Sequence, residues 1–155
     1  MTFIHDVNRR DKLWMSAQPK AAIVGITPDT KPSEVYRAAL EAFGYALRRN
    51  LEVASPEVRT RRVFAAGGGA RTDLWRQVVS DIIGHKQMWH SNSSGAFGGA
   101  LLAGHAVGVL ALNAIRDRQL RESVVNYPSR GDQAAYEEGY ARYRGLVKAM
   151  EQVNA

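Results

Sequence analysis

The chain has no cysteine, which excludes disulfides and thiolate metal sites and leaves a reducing cytoplasm as the compartment that fits best. Histidine is sparse. His5, His85, His90 and His105 stand far apart with no acidic pair at ligand spacing beside them, so no metal site is expected. Long apolar runs are missing too. The most apolar segment, residues 96–112, is interrupted by Gly98, Gly99, Gly104, His105 and Gly108, and residues 1–10 lack the apolar core of a signal peptide. A soluble protein without a membrane partner is the expectation. Neither Ser93 nor Ser94 sits in a Gly-x-Ser-x-Gly elbow, and no histidine can be paired with them from spacing, so no catalytic residue is assigned. Internal repeats and low-complexity tracts are also absent.

What is present suits one domain: 155 residues are enough to bury a substantial core. A formal net charge of +6 is compatible with an anionic partner such as nucleic acid or a phosphorylated ligand. The arginines, however, interleave with acids or fall at element ends. No aromatic-basic stripe or recognition helix accompanies them, which argues against a specific nucleic-acid partner.

Residues 1–20 read as a leading loop anchored by Trp14 and Met15. The apolar run 21–26, ended by Thr27-Pro28-Asp29-Thr30, reads as a strand, and its lack of alternation predicts burial on both faces. Pro32-Ser33-Glu34 then opens a long helix with Ser33 as N-cap. Tyr36, Leu40, Phe43, Leu47 and Leu51 form its core stripe, and Gly44 predicts close packing against a neighbour. A strand at 63–66, a helix ending at Gly84 and a short strand at 86–90 follow. The next helix, capped by Ser93 or Ser94, carries small-residue faces (Gly95, Gly99, Ala103; Ala100, Gly104, Gly108), read as helix packing in preference to ligand contact. Residues 113–121 become charged. Asp132 then caps a final helix with Tyr136, Tyr140, Tyr143, Val147 and Met150 on one stripe, a packing pattern more than a ligand cage. The alternation of strands and helices predicts an α/β layered domain with mostly parallel pairing.

The most informative stretch is the strand at 63–66 followed by Gly67, Gly68 and Gly69, then Ala70, Arg71, Thr72 and a helix on which Leu74, Val78 and Ile82 recur. Glycine lets a ligand approach the backbone, and a helix start offers unpaired N–H groups, so this is a candidate nucleotide loop. A ligand-free strand-to-helix turn is equally compatible with these residues alone. The stretch lacks the Gly-Lys-Ser/Thr ending of a P-loop and the Gly-x-Gly-x-x-Gly spacing of a dinucleotide site.

Three blocks in order resemble the C-terminal domain of the FGGY carbohydrate kinases. They are residues 21–26 with residues 34–41 at the family's spacing, the glycine stretch with residues 73–77 and 80–84, and residues 96–104. The resemblance implies a ribonuclease-H-like, actin-like ATPase fold, here lacking its first strands, with residues 21–155 as part of the nucleotide-binding domain. It implies ATP with Mg²⁺ as the phosphoryl source and a sugar or polyol as acceptor. By position, Gly67, Gly68 and Gly69 would line the adenosine, Ala70 and Arg71 would flank it, and Thr72 would reach the adenine. Two departures stand out: residues 91–94 replace an acidic helix start, and Asn8-Arg9-Arg10-Asp11 matches the family too loosely to carry a role. Family members are much longer, and the catalytic aspartate, first phosphate loop and most of the sugar pocket belong outside this stretch. The expectation is therefore a part of a kinase that is inactive alone and binds ATP weakly or not at all. The alternatives are an interaction module or split-kinase subunit, paired with a partner chain or a second copy, and, behind these, a basic nucleic-acid binder.

Overall fold

The computed structural model describes residues 1–4, 21–54, 63–121, 123–129 and 131–153. In chain order the elements are β1 (Thr2–Ile4), β2 (Ala22–Val24), α1 (Pro32–Ala54), β3 (Val63–Ala65), a 3-10 turn (Gly69–Arg71), α2 (Asp73–Ile83), β4 (Gln87–Trp89), α3 (Gly95–Ala106), α4 (Leu112–Arg121), β5 (Val124–Asn126) and α5 (Gln133–Val153). Trp14, Met15 and residues 8–11, singled out above, lie outside the described residues.

Helix α1 starts two residues earlier than a Ser33 cap would place it. Pro32, which has no N–H to leave unpaired, takes the first helical position, so the cap falls on Lys31. The Lys31 N–H donates to Glu34 Oε2 at 2.7 Å, and the Lys31 carbonyl accepts from Glu34 and Val35. The inward face also differs from the stripe of large residues. Ala38, Leu40, Ala42 and Tyr45 are buried, whereas Tyr36 is exposed. Against α2 the helix presents Phe43 and Gly44: Phe43 meets Trp75, and Ile82 sits so near Gly44 that an added Cβ would lie 2.6 Å from its Cδ1. That close approach is the one Gly44 predicted.

The core lies between α1, α2, α5 and β1. Ile4, Leu40, Tyr45, Val78 and Ile82 pack with the α5 stripe Tyr136, Tyr140, Tyr143 and Val147. The tyrosines are packing residues, as read. Tyr140 donates to Glu52 Oε2 at 2.6 Å, and its ring carries the Arg48 guanidinium 4.3 Å from the centroid. Arg48 in turn holds Glu137 from α5 at 2.8 Å, which pins α5 to α1.

The strands form two small sheets, β1–β2 and β3–β4–β5. Among the described residues only β3–β4 is parallel; β1–β2 and β4–β5 are antiparallel, which corrects the expectation of mostly parallel pairing. The two antiparallel partners are the elements that periodicity did not reveal. β1 lies in the stretch read as loop, and β5 is a three-residue strand after a charged helix. β2 is not buried on both faces either: Ile23 and Val24 are about two-fifths exposed, because among the described residues only β1 pairs with it.

Candidate functional site

The glycine stretch folds as a turn at the carboxyl end of β3, and the loop 90–94 leaves the carboxyl end of the parallel neighbour β4 beside it. The Gly67 N–H donates to the Ser93 carbonyl at 3.3 Å, which ties the two loops together. Loops at the carboxyl ends of parallel strands are where α/β sheets receive ligands. Gly67 has φ +90°, a conformation side-chain-bearing residues rarely adopt, so the turn itself requires that glycine. Gly68 is different. At φ −64°, ψ −43° it is ordinary helical backbone, and no atom of the described residues lies within 4 Å of where its Cβ would stand. At Gly69 the nearest atom is Trp75 Cε2, at an ordinary 3.9 Å. Among the described residues nothing calls for the smallness of these two.

The turn continues as the 3-10 turn, closed by Arg71 N–H to the Gly68 carbonyl and Thr72 N–H to the Gly69 carbonyl, both at 3.2 Å. Thr72 is the N-cap of α2, yet its side chain makes no capping hydrogen bond, so the hydroxyl is left to solvent or a ligand. The helix ends as read: Gly84, at φ 67°, donates its N–H to the Ser80 carbonyl at 3.0 Å. On the neighbouring loop, His90 Nδ1 accepts from the Asn92 N–H at 3.1 Å, and Ser94 Oγ caps α3 by accepting from the Phe97 N–H at 3.2 Å.

Behind the turn lies a buried polar network. Arg76, 4% exposed, donates from Nε to Asn126 Oδ1 at 2.9 Å, from Nη2 to Asp73 Oδ1 at 2.8 Å and from Nη1 to the Ala70 carbonyl at 2.5 Å. Its face covers Trp89 at 4.5 Å. Asn126 Nδ2 also donates to Asp73 at 3.0 Å, and that bond, followed by the Arg76 charge, holds the Asp73 carboxyl below the usual carboxylate range. Gln77 and Asp81 extend the network to the chain after β5. Gln77 Nε2 donates to Asp81 Oδ1 at 2.9 Å and to the Tyr127 carbonyl at 2.8 Å, and the Ser129 N–H donates to Asp81 at 2.7 Å.

Residues 2–107 match the model of the FGGY family of carbohydrate kinases, C-terminal domain. The chain belongs to this family. The FGGY relatives include the xylulose kinase of Escherichia coli (strain K12), 39% identical over 70 residues, which are 44% of this chain and 14% of that protein. The glycerol kinase of Desulfitobacterium hafniense is 31% identical over 137 residues, or 86% of this chain and 27% of that protein. Among solved structures, the ligand-bound xylulose kinase of Lactobacillus acidophilus superposes with TM-score 0.71 at 20% identity, over 91% of this chain and 29% of that one. The Plasmodium falciparum glycerol kinase with ADP superposes with TM-score 0.69 at 23% identity, over 85% and 27%. The fold is thus that of the FGGY sugar kinases, an actin-like ATPase fold, and the chain spans under a third of the length of these relatives.

Within this FGGY domain, Gly67, Gly68, Gly69, Arg71 and Thr72 are all exposed along one turn. Ala70 is 1% exposed, its side chain turned into the protein as the turn's anchor. Arg76 and Asn126 were not singled out from sequence. Arg76 carried a signal, since it shares the helix face of Val79 and Ile83, both buried. Asn126 carried none, because its strand was not recognisable. The small-residue helix α3 has no buried residue, and the close neighbour of its Gly104 is Leu110, 2.7 Å from where a Cβ would stand. At Gly95, Gly98 and Gly99 an added Cβ would touch nothing.

Proposed function

We propose that residues 67–72 bind the adenosine of ATP, and that the chain is the nucleotide-binding part of a kinase that phosphorylates a sugar or polyol hydroxyl. The observation that carries this reading is the pair Gly68 and Gly69. Their lack of side chains answers no need of the fold, and it suits a flat ring lying on the backbone. The exposed turn and the uncapped Thr72 hydroxyl fit adenine and ribose, with Thr72 as hydrogen-bonding group and Arg71 at the rim. ATP supplies the transferable γ-phosphoryl group. This chain's residues seat the nucleoside and fix its distance from the acceptor, and in such transfers positioning and charge neutralisation supply most of the catalysis. Among the described residues no three His, Asp or Glu side chains converge, so Mg²⁺ is assigned to no side chain here. No described helix is long and apolar enough to cross a membrane, and we place the protein in the cytoplasm. The test is ADP release from ATP and Mg²⁺ with xylulose or glycerol present. The purified chain is expected to show no sugar-dependent release, and such release would contradict the assignment to the nucleoside side alone.

A second reading is favoured by one observation: Phe64, Leu102, Val107 and Val109 are each more than half exposed on β3 and around α3. Such surface suits contact with another polypeptide, either the remaining kinase fold or a second copy. Sedimentation decides between the two: a stable dimer or complex supports an interaction module, and a monomer at all concentrations counts against an obligate partner.

A further inference from the structure

One charge beside the turn has no part in the nucleotide reading. Arg76 is almost fully buried, and its donors point at different segments: the Ala70 carbonyl in the 3-10 turn, Asp73 at the start of α2, and Asn126 at the end of β5. Its flat face lies on Trp89 of β4. Burying a guanidinium is costly, and an apolar side chain of similar volume often serves stability as well or better. What an apolar residue cannot supply is direction. The planar fork fixes several acceptors relative to one another, which a lysine ammonium does not.

The turn needs such a hold. Gly67, Gly68 and Gly69 carry no side chains to anchor them, and glycine backbone has more freedom to lose than any other. Beyond its own two 3-10 hydrogen bonds, the turn is tied to the rest of the described chain by the Gly67 bond to Ser93, the buried Ala70 methyl and the Arg76 bond to the Ala70 carbonyl. Of these, only Arg76 reaches both the helix start and β5.

We propose that Arg76 is the positioning residue of the nucleotide loop. By locking the Ala70 carbonyl to Asp73 and Asn126, it sets the spacing between the Gly68–Gly69 surface and the Thr72 hydroxyl that an adenosine spans. This rests on the nucleotide reading above. The loop is ordered before the ligand arrives, so binding does not have to order three glycines.

The test is ¹⁵N relaxation of the full chain, wild type and Arg76→Lys, with adenosine titrations followed by amide shifts. In Arg76→Lys the order parameters of residues 67–72 should fall from about 0.85 towards 0.6. Those of α1 and α5 should stay unchanged, and the adenosine Kd should rise at least about tenfold. Unchanged loop order parameters, or a decline shared equally by α1 and α5, would overturn the proposal. If Arg76→Lys does not fold, Asp73→Ala takes its place, because the Asp73 side chain is 74% exposed. The same loop-confined loosening, smaller in size, is then expected, and its absence overturns the proposal. Failure of the wild-type chain to respond to adenosine at all would sink the nucleotide reading and the ligand role with it. The order parameters decide separately whether Arg76 holds the loop.

Discussion

Gly68→Ala separates two reasons for a glycine at the centre of the turn. At φ −64°, ψ −43° alanine fits without strain, and its methyl group meets nothing within 4 Å. The substitution should therefore stabilise the chain by about 0.4–1 kcal/mol, by restricting the unfolded state. For a chain of this length that is a rise of about 1–4 °C in Tm. Adenosine affinity should move the other way, because the same methyl group would stand where the ring lies; a loss of about tenfold, or ~1.4 kcal/mol, is expected. Gly67→Ala is the control. Its φ of +90° is strained for alanine, so it should destabilise by about 1–2 kcal/mol. Urea unfolding followed by tryptophan fluorescence reads the first quantity, and adenosine titration of the ¹⁵N-labelled chain reads the second. A Gly68→Ala midpoint below wild type at unchanged slope would refute the helical backbone at this residue. Unchanged adenosine affinity would refute close ligand approach as the reason for the glycine.

Two further outcomes test the packing that supports the turn. Gly44→Val forces a branched side chain against Ile82, which is 2% exposed, and should cost about 1–3 kcal/mol by urea unfolding; a neutral result would contradict the close α1–α2 approach. Burial pushes the Tyr143 phenol up from 10.0 to about 12 and raises Tyr45 and Tyr140 as well. A phenol raised on folding stabilises fully below its unfolded value and less as pH climbs through the folded one, so stability should be flat to pH 10.0 and fall towards about 12. Urea unfolding measured as a function of pH reads this, and a stability that stays unchanged from pH 10.0 to about 12 would contradict it.

The sequence disclosed the parts of this fold that repeat a pattern over many residues. The tyrosine stripe of α5, the left-handed cap at Gly84 and the Ser94 cap all follow from local chemistry, and the structure holds them where that chemistry put them. Elements set by distant partners were hidden. β1 and β5 are three residues each, too short for periodicity, and exist through pairing with β2 and β4. On α1 the large residues drew attention from Ala38 and Ala42, which share the buried face of Tyr45. At the site, the glycine turn was legible as a candidate because an apolar run, three glycines and a helix-period pattern follow one another. Arg76 was not, because an arginine normally marks the solvent face, and only the joint presence of Ala70, Asp73, Asn126 and Trp89 makes its burial tolerable.

The central claim is that residues 67–72 receive adenosine. Titrating the ¹⁵N-labelled chain with ADP at millimolar concentration, with every described amide monitored, tests it most directly. Shift changes confined to residues 67–72 and the adjoining loop 90–94, with weak affinity, are predicted. Changes centred elsewhere, or none in the glycine turn, would contradict the account.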